Sequence, residues 1–197
     1  MSHRLSRQDG ATIIEVLVAV ILVVVGLLGL AGLQSRVSLA QVEAFQRAQA
    51  IVLVQDMASR INANRRNVGS YVTGTGTPKG TDVGAQSCSG LTGAALDLCE
   101  WNNELVGAGE TSGTSNVGAM LGARGCVESV QNTMPYQVRV SVVWQGTVGT
   151  VAPASTTCGS GKYTDDTTRR AITATVEIGC LQNDPASTLC ISGIPAF

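Results

Sequence analysis

The sequence predicts an α+β protein in which one long N-terminal helix packs on an antiparallel β-sheet head. Three observations predict it. Residues 11–33 are almost wholly apolar, and apolar residues then recur at helical spacing to about residue 64 without a proline. Two later segments alternate apolar and polar side chains strictly. A helical period first and strand periods afterwards, not interleaved with it, is the order that α+β folds show.

The first element is a leader, residues 1–10, which is short and polar and carries Arg4 and Arg7. From Ala11 to Leu33 the chain reads ATIIEVLVAVILVVVGLLGLAGL. About 20 apolar residues rising 1.5 Å each cross a bilayer core. Arg4 and Arg7 place the N-terminus on the cytoplasmic side. A secretory signal peptide would have a run of about 7–15 residues closed by a small-residue cleavage site. Here the run is longer and continues into further helix. A plain single-span anchor leaves Glu15 without a reason, because a carboxylate in such a span costs roughly 2.5–3.5 kcal/mol and needs a partner.

Residues 34–66 form the second half of that helix. Val37, Ala40, Ala44, Ala48, Ile51, Ala58 and Ile61 recur in steps of three and four, among polar residues such as Gln41, Glu43, Gln55 and Asp56. With no proline from Ala11 to Asn64, one helix of about 54 residues, roughly 80 Å long, is expected. Gly26, Gly29 and Gly32 form a ladder within it, read as close helix packing or as a point that stretches.

Residues 67–197 are the head. Residues 67–123 are rich in Gly, Thr and Ser and are expected to be loops around one short helix, Asp97–Leu105. Leu98, Trp101 and Leu105 share one face of it, so Trp101 reads as core and not as a sugar-binding ring. Tyr136–Gln145 is a strand with 136, 138, 140, 142 and 144 on a buried face. Ala171–Cys180 repeats the pattern through Ile172, Ala174, Val176 and Ile178. Cys126–Val130 is a weaker third strand, turned by Gln131-Asn132-Thr133-Met134-Pro135.

Six cysteines without a CxxC pair read as a disulfide framework, which needs an oxidising compartment. That agrees with a head outside the cytoplasm. Six cysteines allow 15 connectivities. If the three strands pair in order, neighbours along the chain join: Cys88–Cys99, Cys126–Cys158 and Cys180–Cys190. The competing reading leaves some of them reduced and buried as small apolar residues.

Other function classes find little support. Thirteen Lys+Arg face fourteen Asp+Glu, so no electrostatic footprint for nucleic acid exists. His3, in the leader, is the single histidine, which removes a His-based triad or zinc site. Asp165-Asp166 lacks the spaced oxygen ligands of a calcium site. Gly74-Thr75-Gly76 is followed by Pro78-Lys79 and not by a phosphate-binding pattern. No enzyme activity, cofactor or metal is expected.

The segment Gly10-Ala11-Thr12-Ile13-Ile14-Glu15-Val16-Leu17-Val18-Ala19 resembles the type IV prepilin cleavage and methylation motif. The resemblance implies that a prepilin peptidase cuts between Gly10 and Ala11 and N-methylates Ala11. Glu15 then becomes the fifth mature residue and pairs with the Ala11 ammonium of a neighbouring subunit. The usual first mature residue is Phe or Met, and here it is Ala11. The long helix resembles that of pilins: residues 11–33 serve as membrane span and filament core, residues 34–66 pack on a periplasmic head.

The prepilin start, the Asp97…Trp101 helix, the Tyr136…Trp144 strand and the late Arg169-Arg170 strand together resemble PilV-type minor pilins, the type IV pilus modification proteins. The resemblance implies a minor pilin that primes or modifies pilus assembly. Its partners would be prepilin peptidase, other minor and major pilins, and the assembly platform. It would sit in the inner membrane as a single-pass protein with cytoplasmic N-terminus and periplasmic head, and in the pilus after assembly. Two alternatives stay open: a pseudopilin of a type II secretion system, and a surface-exposed pilin that binds an external ligand. Major pilins usually carry one C-terminal disulfide loop, and six cysteines fit a minor one better.

Overall fold

A computed structural model describes residues 12–113, 115–116, 120–133 and 135–179. Its first element, α1, runs Ile13–Ala63 as one helix of 51 residues. The chain divides into two compact units, Met1–Val42 and Glu43–Phe197. In the first, every described side chain from Thr12 to Val42 is exposed.

In the second unit α1 buries Ala50, Leu53, Val54, Met57 and Ile61, a stripe with steps of three and four. The apolar positions that recur in the sequence do not all lie on that face. Ala44, Ala48 and Ile51 lie on the exposed side; of the expected residues, Ile61 is buried and Ala58 packs partly. The helix is apolar on more than one side, so periodicity establishes that it is amphipathic but not which side the head covers. The larger side chains Leu53, Met57 and Ile61 bury more area per residue than an alanine stripe.

Beyond α1 a short 3-10 turn, Arg65–Tyr71, seals the helix end with Val68 and Tyr71, both fully buried. The strand β1 is two residues, Lys79–Gly80, and no alternation is there to announce it. Gly80 has φ +102°, and a Cβ would run into the carbonyl of Ala123, the residue just before the strand it pairs with, so only glycine allows that approach. The helix α2, Gly93–Leu105, begins one turn before the expected Asp97. Strands β2 (Thr111–Ser112) and β3 (Ser115–Asn116) form a separate two-residue ladder.

The main sheet holds β4 (Arg124–Gln131), β5 (Tyr136–Gln145) and β6 (Arg169–Ile178) in the order β1-β4-β5-β6, antiparallel throughout. Val127 lies opposite Val140, and Val138 opposite Val176. The three expected strands therefore pair in chain order, and a long helix on an antiparallel sheet is the observed α+β class.

Trp101 and Leu105 of α2 enter the core with α1 on one side and Val127, Val138, Val140, Val142 and Trp144 on the other. Trp101 is fully buried and its Nε1 donates to the Leu53 carbonyl at 3.0 Å. Gly125 on β4 makes room for it, because a Cβ there would overlap the Trp101 ring and crowd Leu105.

One expectation for β5 is incomplete. Val138, Val140, Val142 and Trp144 are buried as read, but so are Ser141 and Val143 on the opposite face. Val143 packs with Cys126, Cys158 and Tyr163, brought over the sheet by the long connection between β5 and β6. Alternation implies one solvated face; that connection covers it.

Candidate assembly surfaces

Within α1 the side chains from Ile13 to Leu33 contain one charge, Glu15, among apolar residues such as Ile13 (87% exposed) and Leu28 (68%). Nothing in the described chain covers them. This is a helix long and apolar enough to cross a membrane. Glu15 sits in its first turn, where the helix dipole favours a carboxylate, and its N–H donates to the Thr12 carbonyl at 3.0 Å. It has no ion-pair partner among the described residues. Gly26, Gly29 and Gly32 would each accept a Cβ with no atom within 4 Å, so no contact inside the chain requires glycine there. Gly10 and Ala11 lie outside the described residues.

The cysteines are distributed over the head. Cys88 and Cys99 are bridged, with Cα atoms 5.7 Å apart, tying the loop before α2 to the helix itself. Cys126 and Cys158 are bridged at 5.9 Å, tying β4 to the β5–β6 connection. The described cysteines include no free thiol. Cys180 and Cys190 lie outside the described residues.

Three guanidinium groups, of which only Arg169 is named from the sequence, hold the head together. Arg60 on α1 reaches Asp56 (2.7 Å), Asp97 (3.4 Å), Glu100 (2.5 Å) and Glu104 (3.2 Å), joining α1 to α2. Burial works against its charge, but the Glu100 and Asp56 hydrogen bonds outweigh that and hold it firmly protonated. Tyr71 donates to Asp97 in the same group, and burial together with that bond pushes its pKa up to about 12. Glu104 is pushed upward by burial and by the nearby Asp56.

Arg124, almost fully buried, donates to Asp82 through Nη2 at 2.7 Å and lies 4.8 Å over the Tyr163 ring. Its hydrogen bond lowers the Asp82 pKa. Arg169 donates to the carbonyls of Thr156 and Cys158 and pairs with Asp166. Asp165 is spent on the turn, accepting from the Thr167 N–H at 2.9 Å.

Asn102 and Asn103 of α2 act as backbone substitutes for the loop 80–86. Asn102 accepts from the Gly80 N–H and donates to the Gly84 carbonyl, while Asn103 both accepts from and donates to Gln86. A cleft of about 520 Å³ opens beside the start of α2, lined by Asn67, Ser70, Lys79 and Thr92 among others. The one ionisable side chain among those four is Lys79, so they supply no acid–base pair. No group of three or more His, Cys, Asp or Glu residues is placed to hold a metal among the described residues. Chemically, the arrangement presents surfaces: an uncovered apolar helix with one carboxylate, and a cross-braced head.

A helix of this kind, apolar and uncovered where it begins and packed on an antiparallel sheet where it ends, defines the pilin-like class of α+β proteins and fits a membrane-anchored pilin. Residues 32–100 match the Tt1218-like family, described as type IV pilin Tt1218. Over those residues the chain is similar to type IV pilins. No curated protein and no solved structure matches it.

Proposed function

We propose that this chain is a minor pilin that primes or modifies type IV pilus assembly, acting as a structural subunit and not as an enzyme. One observation carries the reading: Glu15 stands alone in an uncovered apolar helix without an ionic partner among the described residues. A carboxylate is costly in that setting unless another subunit supplies the cation, and the Ala11 ammonium released by cleavage after Gly10 is that cation. Prepilin peptidase then removes residues 1–10 and methylates Ala11. The head stands in the periplasm, braced by Cys88–Cys99, Cys126–Cys158 and Cys180–Cys190, and the subunit passes from the inner membrane through the assembly platform into a filament with other minor and major pilins.

The test uses the full chain in cells with an active prepilin peptidase. Intact mass should show loss of residues 1–10, and Gly10→Ala should block that loss. Glu15→Val should insert and be cleaved normally yet be depleted at least about tenfold from sheared pili, the scale of a lost 1.4 kcal/mol pairing. Incorporation of Glu15→Val at the native level would refute the pairing. Presence of the native chain in secretion complexes and its absence from pili would move it to the pseudopilins of type II secretion.

A further inference from the structure

Between the second half of α1 and the end of α2 lies a groove of about 400 Å³. Its floor is apolar: Leu53 is buried, but Val52 is 63% exposed. Its rim is acidic, formed by Asp56, Glu104 and Glu110. Asp97 and Glu100 stand close behind, gathered on Arg60. Four carboxylates thus share one guanidinium, and Glu110 adds a fifth with no ion-pair partner among the described residues, so the groove carries excess negative charge. The Glu104 carboxyl is raised by burial first and by the neighbouring Asp56 second.

The same head offers the opposite feature. Arg65 and Arg66 begin the 3-10 turn after α1, both exposed. Arg65 donates to the Asn62 carbonyl, and neither has a carboxylate partner among the described residues. Arginine stems lie well on apolar floors while their heads meet acidic rims. We propose that the groove receives the Arg65–Arg66 turn of a second copy of this chain, with the stems over Val52 and the guanidinium groups against Asp56, Glu104 and Glu110. Groove and turn are different patches of one surface, so the contact is head-to-tail, and any displacement along the helix axis makes it repeat as an open series and not as a ring. Eleven residues of α1 separate Val52 from the helix end at Ala63, and Arg65 begins the turn two residues further, so successive copies are displaced by roughly 17–20 Å along that helix if their axes are parallel. This rests on the pilin reading and adds the partner and the register to it.

The test measures self-association of the full-length chain in detergent by sedimentation, with incorporation into sheared pili scored alongside. The native chain should self-associate, at least about tenfold more weakly when salt rises from 0.05 to 0.5 M, because exposed charge pairs are screened. Arg65→Glu with Arg66→Glu should abolish association, and Arg65→Lys with Arg66→Lys should keep it. Adding Glu110→Arg to the acidic double variant should restore part of it. Carbodiimide treatment of the lysine variant should link residue 65 or 66 to 56, 104 or 110 of another copy.

Links elsewhere, association untouched by the Arg→Glu changes, or a native chain that stays monomeric would overturn the proposal. Incorporation of the Arg→Glu variant into pili at the native level would also overturn it and leave the pilin reading standing. Absence of the native chain from pili, with cross-links at the stated positions, would instead remove the pilin reading and leave the contact.

Discussion

At the scale of single residues, the head is organised by places where one side chain needs another to be absent. Gly125 is such a place: it lies mid-core on β4 with the Trp101 ring where its Cβ would be. Gly125→Ala should destabilise the head by about 1–3 kcal/mol, the cost of overpacking a filled core. Gly76→Ala has no atom within 4 Å of the new Cβ and should leave the melting temperature near that of the native chain. Thermal melting of the full-length chain in detergent compares the two. Equal melting temperatures for both variants would mean that Trp101 does not sit against β4. Nothing in the sequence tells the two apart by packing, because a glycine's reason lies in its spatial neighbour.

Among elements, the β5–β6 connection behaves as part of the core. It is pinned at Cys158 to β4, its carbonyls are read by Arg169, and it buries the second face of β5. The Cys126–Cys158 bridge closes a separation of 32 residues and Cys88–Cys99 one of 11. On loop-closure entropy these contribute about 4 and about 3 kcal/mol. Replacing Cys126 and Cys158 together by Ser should lower the melting temperature more than replacing Cys88 and Cys99, by a margin larger than the entropy difference. The added part comes from placing two hydroxyls in a fully buried apolar cluster. A smaller loss for the Cys126/Cys158 pair would show that the connection packs without its bridge.

For the whole molecule, pH should define a stability plateau with two edges of different origin. Asp82 and Asp166 are depressed by hydrogen bonds from Arg124 and Arg169. A depressed carboxyl contributes stability that is present above its ordinary pKa and is lost as pH falls through the depressed one. Glu104, raised by burial, acts the other way and favours folding slightly on first acidification. Melting temperature should therefore hold or rise a little from neutral pH toward the ordinary Glu range, then fall below the ordinary Asp value near 3.8. On the alkaline side Tyr71 is raised from 10.0 to about 12. Its contribution is complete below 10 and lost as pH climbs through about 12, and Tyr71→Phe should flatten that limb. An unchanged alkaline limb in Tyr71→Phe would show that Tyr71 does not set it.

The sequence by itself determined the elements whose signals are local. The apolar run with its lone Glu15, the unbroken helix and the alternating strands near 136–145 and 171–178 all rest on periods of 3.6 or 2 within one segment, whereas the order in which the strands pair was an assumption. Tertiary structure decided what depends on residues far apart in the chain. Which face of α1 is buried could not be read, because apolar side chains on several faces satisfy the same period, and the head selects Leu53, Met57 and Ile61. The edge strand β1 is too short to carry a period and exists because β4 offers it partners. The Arg60 cluster joins residues 40 positions apart in the chain at Glu100. The acidic groove beside it forms only when the end of α2 is laid against α1, since no short window of sequence holds Asp56, Glu104 and Val52 together. Charge and apolarity were written along the chain; their convergence on one surface required the chain to close.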